Sequence, residues 1–219
     1  SNVAIEMEPV KNLTFQTGFS YRTLESASPI FSLDYYTDVA NGVVKSDVKQ
    51  SEVSLQIDYT PKRRTIGFAV EREIVDSPYS RFFINYSHGF KGLFDSDFQY
   101  DKLQLYYKQP IIIGPLGRSN IIMEVGKTFG TVPLGLMSVI SGNQTFFSIE
   151  NTFSNLNYYE FVSDEYATLQ WNHNFGGRLF SRIPFMRKLN WREIIGLKGV
   201  YGSISNENRA INASGLTYN

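Results

Sequence analysis

The feature that most constrains this chain is a two-residue alternation of apolar and polar side chains, repeated in segments of about ten residues. Val53, Leu55, Ile57 and Tyr59 alternate with Ser54, Gln56 and Asp58. Leu103, Leu105 and Tyr107 alternate with Lys102, Gln104, Tyr106 and Lys108; Ile121, Met123 and Val125 alternate with Asn120, Ile122 and Glu124. Successive side chains of a strand point to opposite faces, so each segment has one apolar and one mostly polar face. Strands in soluble sheets usually run about 5–6 residues. A tilted strand that crosses a bilayer needs about 9–11, with its lipid and lumen faces alternating. The length and period together predict an all-β fold, an antiparallel transmembrane β-barrel in a bacterial outer membrane. Leu55, Leu103, Leu105, Met123 and Leu169 are expected to face lipid.

At 219 residues the chain is ordinary for one all-β unit, so residues 1–219 are read as a partial barrel with no separate second domain. Lys plus Arg and Asp plus Glu are 21 each, so no strong field points to nucleic acid or to an acidic partner. The 14 Tyr and 17 Phe suit interfacial aromatic girdles. They also suit the alternative, a soluble all-β carbohydrate-binding module. Cys is absent, which excludes disulfides, thiolate metal sites and a Cys nucleophile. No apolar run of about 18 residues exists, which excludes a transmembrane helix. No signal-like segment opens the chain, and Thr217-Tyr218-Asn219 begins something extended. The expectation is the C-terminal portion of a larger barrel, with about 8–10 strands in this chain.

Strands are expected over roughly 12–23, around Phe31–Tyr35, over 51–60, 82–90, 99–111, 118–127, Ala167–His173 and 191–203, with a short one at Ile66–Val70. Residues 38–50 read as a polar loop containing Asn41-Gly42, and Gly114-Pro115-Leu116-Gly117 reads as a tight turn. Residues 128–161 form the longest irregular stretch, rich in Gly, Asn and Ser. Long connections in a regular fold are usually functional, and this one is expected to fold into the lumen. If 114–117 is a periplasmic turn, 91–98 and 128–161 lie outside. The basic segments 61–79 and 176–190 then lie on the periplasmic side.

From Gly126 to Asn208 the sequence reads GKTFGTVPLGLMSVISGNQTFF and, further on, NLNYYEFVSDEYATLQWNHNFGGRLFSRIPFMRKLNWREIIGLKGVYGSISNEN. With YSHGFKG and YYKQPIIIGPLG upstream, it resembles the barrel of a Bacteroidota outer-membrane family of unknown function. The EFVSDEY and IPFMRKLNWRE blocks are its specific parts. Full-length members of that family carry a periplasmic carboxypeptidase-regulatory-like sandwich before the barrel. A more distant resemblance links the chain to the surface-antigen superfamily of outer-membrane assembly factors. Val132-Pro133-Leu134, Ser141-Gly142-Asn143 and Ile183-Pro184 stand in the matching order. Where that superfamily has an arginine in its inward loop, Gly142-Asn143-Gln144 stands here. The resemblance implies that Pro133, Gly142, Asn143 and Glu160 belong to an inward, loop-anchoring element.

Glu160 and Asp164 flank a strand start among Tyr158, Tyr159, Phe161 and Tyr166. They are read as anchors of the long loop through hydrogen bonds; two carboxylates could also hold Ca²⁺ or do acid–base work. Arg22, Asp58, Lys102, Lys108, Glu124 and Lys198 are expected to face the lumen and pair with one another, since a buried charge must be paired or hydrated. His88 and His173 are the only histidines, too few for a zinc site, and read as strand-end residues. No lipase-type nucleophile motif occurs. Gly126-Lys127-Thr128 fails as a phosphate loop because Ile121 stands where its first glycine belongs. No catalytic residue, metal or cofactor is expected. The reading is a non-enzymatic outer-membrane protein in assembly, export or solute passage. Its expected partners are outer-membrane lipid and periplasmic or surface protein subunits, not nucleic acid.

Overall fold

A computed structural model describes residues 1–25, 34–38, 41–67, 73–75, 78–143, 152–153, 156, 161–189 and 191–212. In chain order the strands are β1 (Asn2–Val10), β2 (Leu13–Glu25), β3 (Tyr36–Thr37), β4 (Val44–Lys45), β5 (Asp47–Tyr59), β6 (Thr65–Ile66) and β7 (Glu73–Ile74). They continue with β8 (Arg81–Phe90), β9 (Tyr100–Ile112), β10 (Arg118–Phe129), β11 (Ser138–Val139), β12 (Val162–Ser163), β13 (Glu165–Asn174) and β14 (Ile194–Ser203). Two short helices, α1 (Pro184–Arg187) and α2 (Asn206–Ile211), lie in connections. The eight long strands pair in the order β1-β2-β5-β8-β9-β10-β13-β14 into one antiparallel sheet. The short strands form three separate pairs: β3 with β4, β6 with β7, and β11 with β12. Among the described residues β1 and β14 have one neighbour each, so the sheet is open at both edges.

The register carries the alternation from strand to strand. Ile84 pairs with Leu105, Leu105 with Val125 and Val125 with Ala167. On the opposite face Asn85 pairs with Gln104, Gln104 with Gly126 and Gly126 with Tyr166. A one-residue slip would exchange the faces, so the apolar pattern itself specifies the pairing. A soluble antiparallel sheet covers its apolar face and wets the other. This sheet does the reverse: Leu55, Leu105, Met123 and Leu169 remain about two-fifths exposed. Its buried cluster, Val48, Tyr100, Val132, Leu136, Met137 and Val162 with Tyr36, lies where connections pack against one end of the sheet.

Strands reverse direction at every step, so alternate connections share an end. Those after β1, β5, β9 and β13 leave from one end; those after β2, β8 and β10, and the chain after β14, leave from the other. The turn between β9 and β10 is held by Ile113 N–H donating to Gly117 O at 2.9 Å. Gly117 has φ 108°, and a Cβ there would lie 2.1 Å from Asn174 O, so a side chain is excluded twice over.

Several elements differ from the sequence expectation: the last long strand begins at Ile194 rather than near residue 191, and Tyr35, expected in a strand, precedes the short β3. The strand β1 was not expected, although Val3, Ile5 and Met7 alternate in it; it is an edge strand whose apolar residues all lie exposed. β5 reaches back to Asp47, into the stretch read as a polar loop, because Val48 is drawn into the end cluster. β10 continues to Phe129, so the long connection begins at residue 130. The expected strand residues Phe31, Leu33, Phe68 and Val70 lie outside the described residues.

Candidate functional site

The polar face and the connection folded over it form the candidate site. Register places Arg22, Asp58, Lys102, Lys108, Glu124 and Lys198 on this one face. Their charges meet partners there. Arg81 grips the Asp58 carboxylate through both Nε, at 3.1 Å, and Nη2, at 2.8 Å. Its guanidinium also lies over the rings of Phe83 and Tyr106. Arg22 Nη2 stands 3.7 Å from Glu52, and Lys102 Nζ lies 5.3 Å from the ring centroid of Tyr100. Gln104 Nε2 donates to Glu124 Oε1 at 2.8 Å. These contacts supply hydrogen bonds and opposite charges of the kind that desolvated charges require.

Two tyrosines repeat one arrangement. Tyr100 lies over Gly89 of the adjoining strand and donates to Glu52 at 2.6 Å. Tyr166 lies over Gly126 and donates to Glu124, also at 2.6 Å. A Cβ on Gly89 would sit 2.5 Å from the Tyr100 ring, and one on Gly126 2.2 Å from the Tyr166 ring. The missing side chain lets each ring lie flat along the sheet and carry its hydroxyl to the carboxylate. The sequence reading missed this pairing; its signal was a glycine opposite a tyrosine, visible only once the register is known.

The connection between β10 and β13 crosses this face. Met137, Ser138 and Val139 close a cavity of about 460 Å³ over Arg22, Glu52, Lys102, Gln104 and Glu124. Lys198 Nζ donates to Thr152 O at 2.8 Å, and Ile140 and Phe153 pack with Tyr166. Pro133 is buried beside Val132. Gly142 bridges to Phe153, and Asn143 N–H donates to Phe153 O at 3.0 Å. Glu160 lies outside the described residues.

Asp164 ties both ends of the connection to the sheet. Its carbonyl accepts from Thr128 N–H at 2.6 Å, and its own N–H donates to Ser203 O at 3.1 Å. Its Oδ2 accepts from Ser205 N–H at 2.9 Å and from Asn208 Nδ2 at 2.7 Å. Asn208 Oδ1 in turn accepts from Val132 N–H at 2.8 Å. Burial pushes the Asp164 carboxyl up, but the bonds from Ser205 and Asn208 outweigh it and hold it below the ordinary value. Among the described residues no three His, Asp or Glu side chains converge as a metal site.

Both histidines lie on the apolar face, near its opposite ends. His88 Nδ1 meets Asp101 at 2.7 Å, and Tyr86 donates to the same carboxylate. His173 Nε2 lies 2.9 Å from Leu116 O, which can only accept, so Nε2 carries the proton and Nδ1 accepts from Ser119 Oγ at 2.8 Å. This buried pair fastens the β9–β10 turn to β13, and among the described residues no carboxylate bonds to His173. Aromatic contacts gather toward both ends of the apolar face. Tyr59, Phe82 and Tyr107 lie at the short-turn end, with Trp171, His173 and Phe175; Phe19, Tyr21 and Phe94 lie at the other. Aliphatic Leu55, Ile84, Leu105 and Val125 lie between the two groups, with Tyr86 paired to Leu55 among them.

No curated protein and no solved structure matches the chain. One family model, described as the C-terminal domain of a family of unknown function (DUF5686), matches residues 6–208. With nearly the whole eight-stranded sheet inside that match, the chain belongs to this family as its C-terminal domain.

Proposed function

We propose that this chain forms the wall of an outer-membrane β-barrel with a filled resting lumen. On this reading it serves the assembly or export of surface components and does no chemistry of its own. The observation that carries the reading is the inverted sheet: eight strands of 9–13 residues with an exposed apolar face, aromatic toward both ends, and a polar face covered in part, over Arg22, Glu52, Lys102 and Glu124, by the protein's own chain. In water so large an apolar surface would aggregate; in a bilayer it is solvated by lipid. The free edges of β1 and β14 cannot stay unpaired in hydrocarbon, so on this reading further strands close the barrel. Assembly or export is preferred to free solute passage because residues 137–141 lie across the polar face and its charges pair internally.

Two measurements test this. The protein should be monodisperse in detergent and should precipitate when detergent is removed; a monodisperse detergent-free sample would refute the membrane reading. In planar bilayers its conductance should be small. Deleting residues 137–156 while keeping Val132, Asp164 and Asn208 should raise conductance in chains that still fold. A large steady conductance of the unaltered protein would refute the filled lumen.

A further inference from the structure

The connection from β13 to β14, residues 175–193, has a composition that the polar-face site does not use. It carries five cations, Arg178, Arg182, Arg187, Lys188 and Arg192, and one acid, Glu193. Glu193 is buried, and its carboxylate accepts the Phe180 N–H, so it turns away from the cations. All five cations are exposed, and none forms an ion pair among the described residues. Exposed apolar side chains stand between them: Leu179, Ile183, Phe185, Leu189 and Trp191, with Phe185 76% exposed. Ser181, Arg187, Trp191 and Arg192 line a cavity of about 440 Å³. Successive turns hold the segment in shape, with Ser181 N–H donating to Gly177 O at 2.9 Å and Arg187 N–H to Ile183 O at 3.0 Å. Trp171, Ile195 and Leu197 of the exposed apolar face adjoin its two ends.

We infer that residues 175–189 and 191–193 form a docking site for the headgroups of anionic phospholipid at the short-turn end of the sheet. The inference rests on the membrane reading. On that reading the segment lies where hydrocarbon gives way to headgroups. Interleaved cations and large apolar groups match a surface that offers negative phosphate above an apolar phase. Trp191 suits the boundary because its ring is apolar and its N–H polar. A soluble polyanion would satisfy the cations and leave Phe185 and Leu189 in water. Arg187 and Arg192, converging on the cavity, take the phosphate; the apolar side chains enter the acyl boundary.

The test uses the whole chain in zwitterionic detergent, titrated at low salt with phosphatidylglycerol or phosphatidylcholine and read by native mass spectrometry. Phosphatidylglycerol should bind preferentially. R187Q/R192Q should weaken it roughly thirty-fold, the combined worth of two cations at a lipid surface, and leave phosphatidylcholine unchanged. K62Q/R63Q, at the same end but outside this segment, should retain nearly full affinity. Equal binding of the two lipids, equal losses in both double variants, or full displacement by inorganic phosphate would overturn the inference. If the protein needs detergent but shows no lipid preference, this inference fails and the membrane reading stands. If it needs no detergent, the membrane reading fails first.

Discussion

Placing arginine at Leu105 separates a sheet in lipid from a sheet in water. Leu105 lies near the middle of β9, five residues from Tyr100 and seven from Ile112. At about 3.3 Å per residue it is roughly 16 Å along the strand from the nearer end. Its neighbours in register are Ile84 and Val125, both apolar and on the same face. It is already 39% exposed, so arginine would fit without repacking a core. In water such a surface change would cost no more than about 0.5 kcal/mol. Near the middle of a bilayer it should cost about 2–4 kcal/mol, falling to about 0–1 near the interface. The assay is reversible urea unfolding of the protein refolded into lipid vesicles. Gln104→Arg is the control, since Gln104 points to the polar face beside Glu124. Leu105→Arg should lower stability by about 2–4 kcal/mol, and Gln104→Arg by less than about 1 kcal/mol. Equal costs would refute the assignment of the two faces, and with it the argument from alternation to lipid contact.

Asp164→Asn should cost about 1–2 kcal/mol, because charge-assisted bonds to Ser205 and Asn208 become neutral ones. The folded carboxyl lies below the unfolded value of about 3.9, so its contribution is complete above that pH and is lost as pH falls through the folded value. Asp164→Asn should therefore flatten the acid limb of a stability–pH curve, and unchanged limbs would contradict this. Gly126→Ala should cost about 1–3 kcal/mol by displacing the Tyr166 ring. In a Tyr166→Ala background most of that cost should vanish, and a double-mutant cycle without coupling would dismiss the glycine–tyrosine pairing.

Seven of the eight long strands were legible in the sequence, since alternation at Leu55, Leu105, Met123 or Leu169 depends only on which way successive side chains point. The same alternation assigned Arg22, Asp58, Lys102, Lys108, Glu124 and Lys198 to the face opposite the leucines. Each is a statement about one segment, made from neighbours two residues apart. Tertiary structure decided what those segments do to one another. Asp164 reaches Ser205 and Asn208 across 41 and 44 residues, and Asn208 reaches Val132 across 76. Ser119 meets His173 across 54, and Tyr166 covers Gly126 because two strands share one register. No local period encodes such contacts: they depend on the distance and angle that strand pairing sets between residues far apart in the chain. Alternation therefore determined the two faces of this sheet, and chain reversal at its loop end decided which polar groups the connection between β10 and β13 would cover.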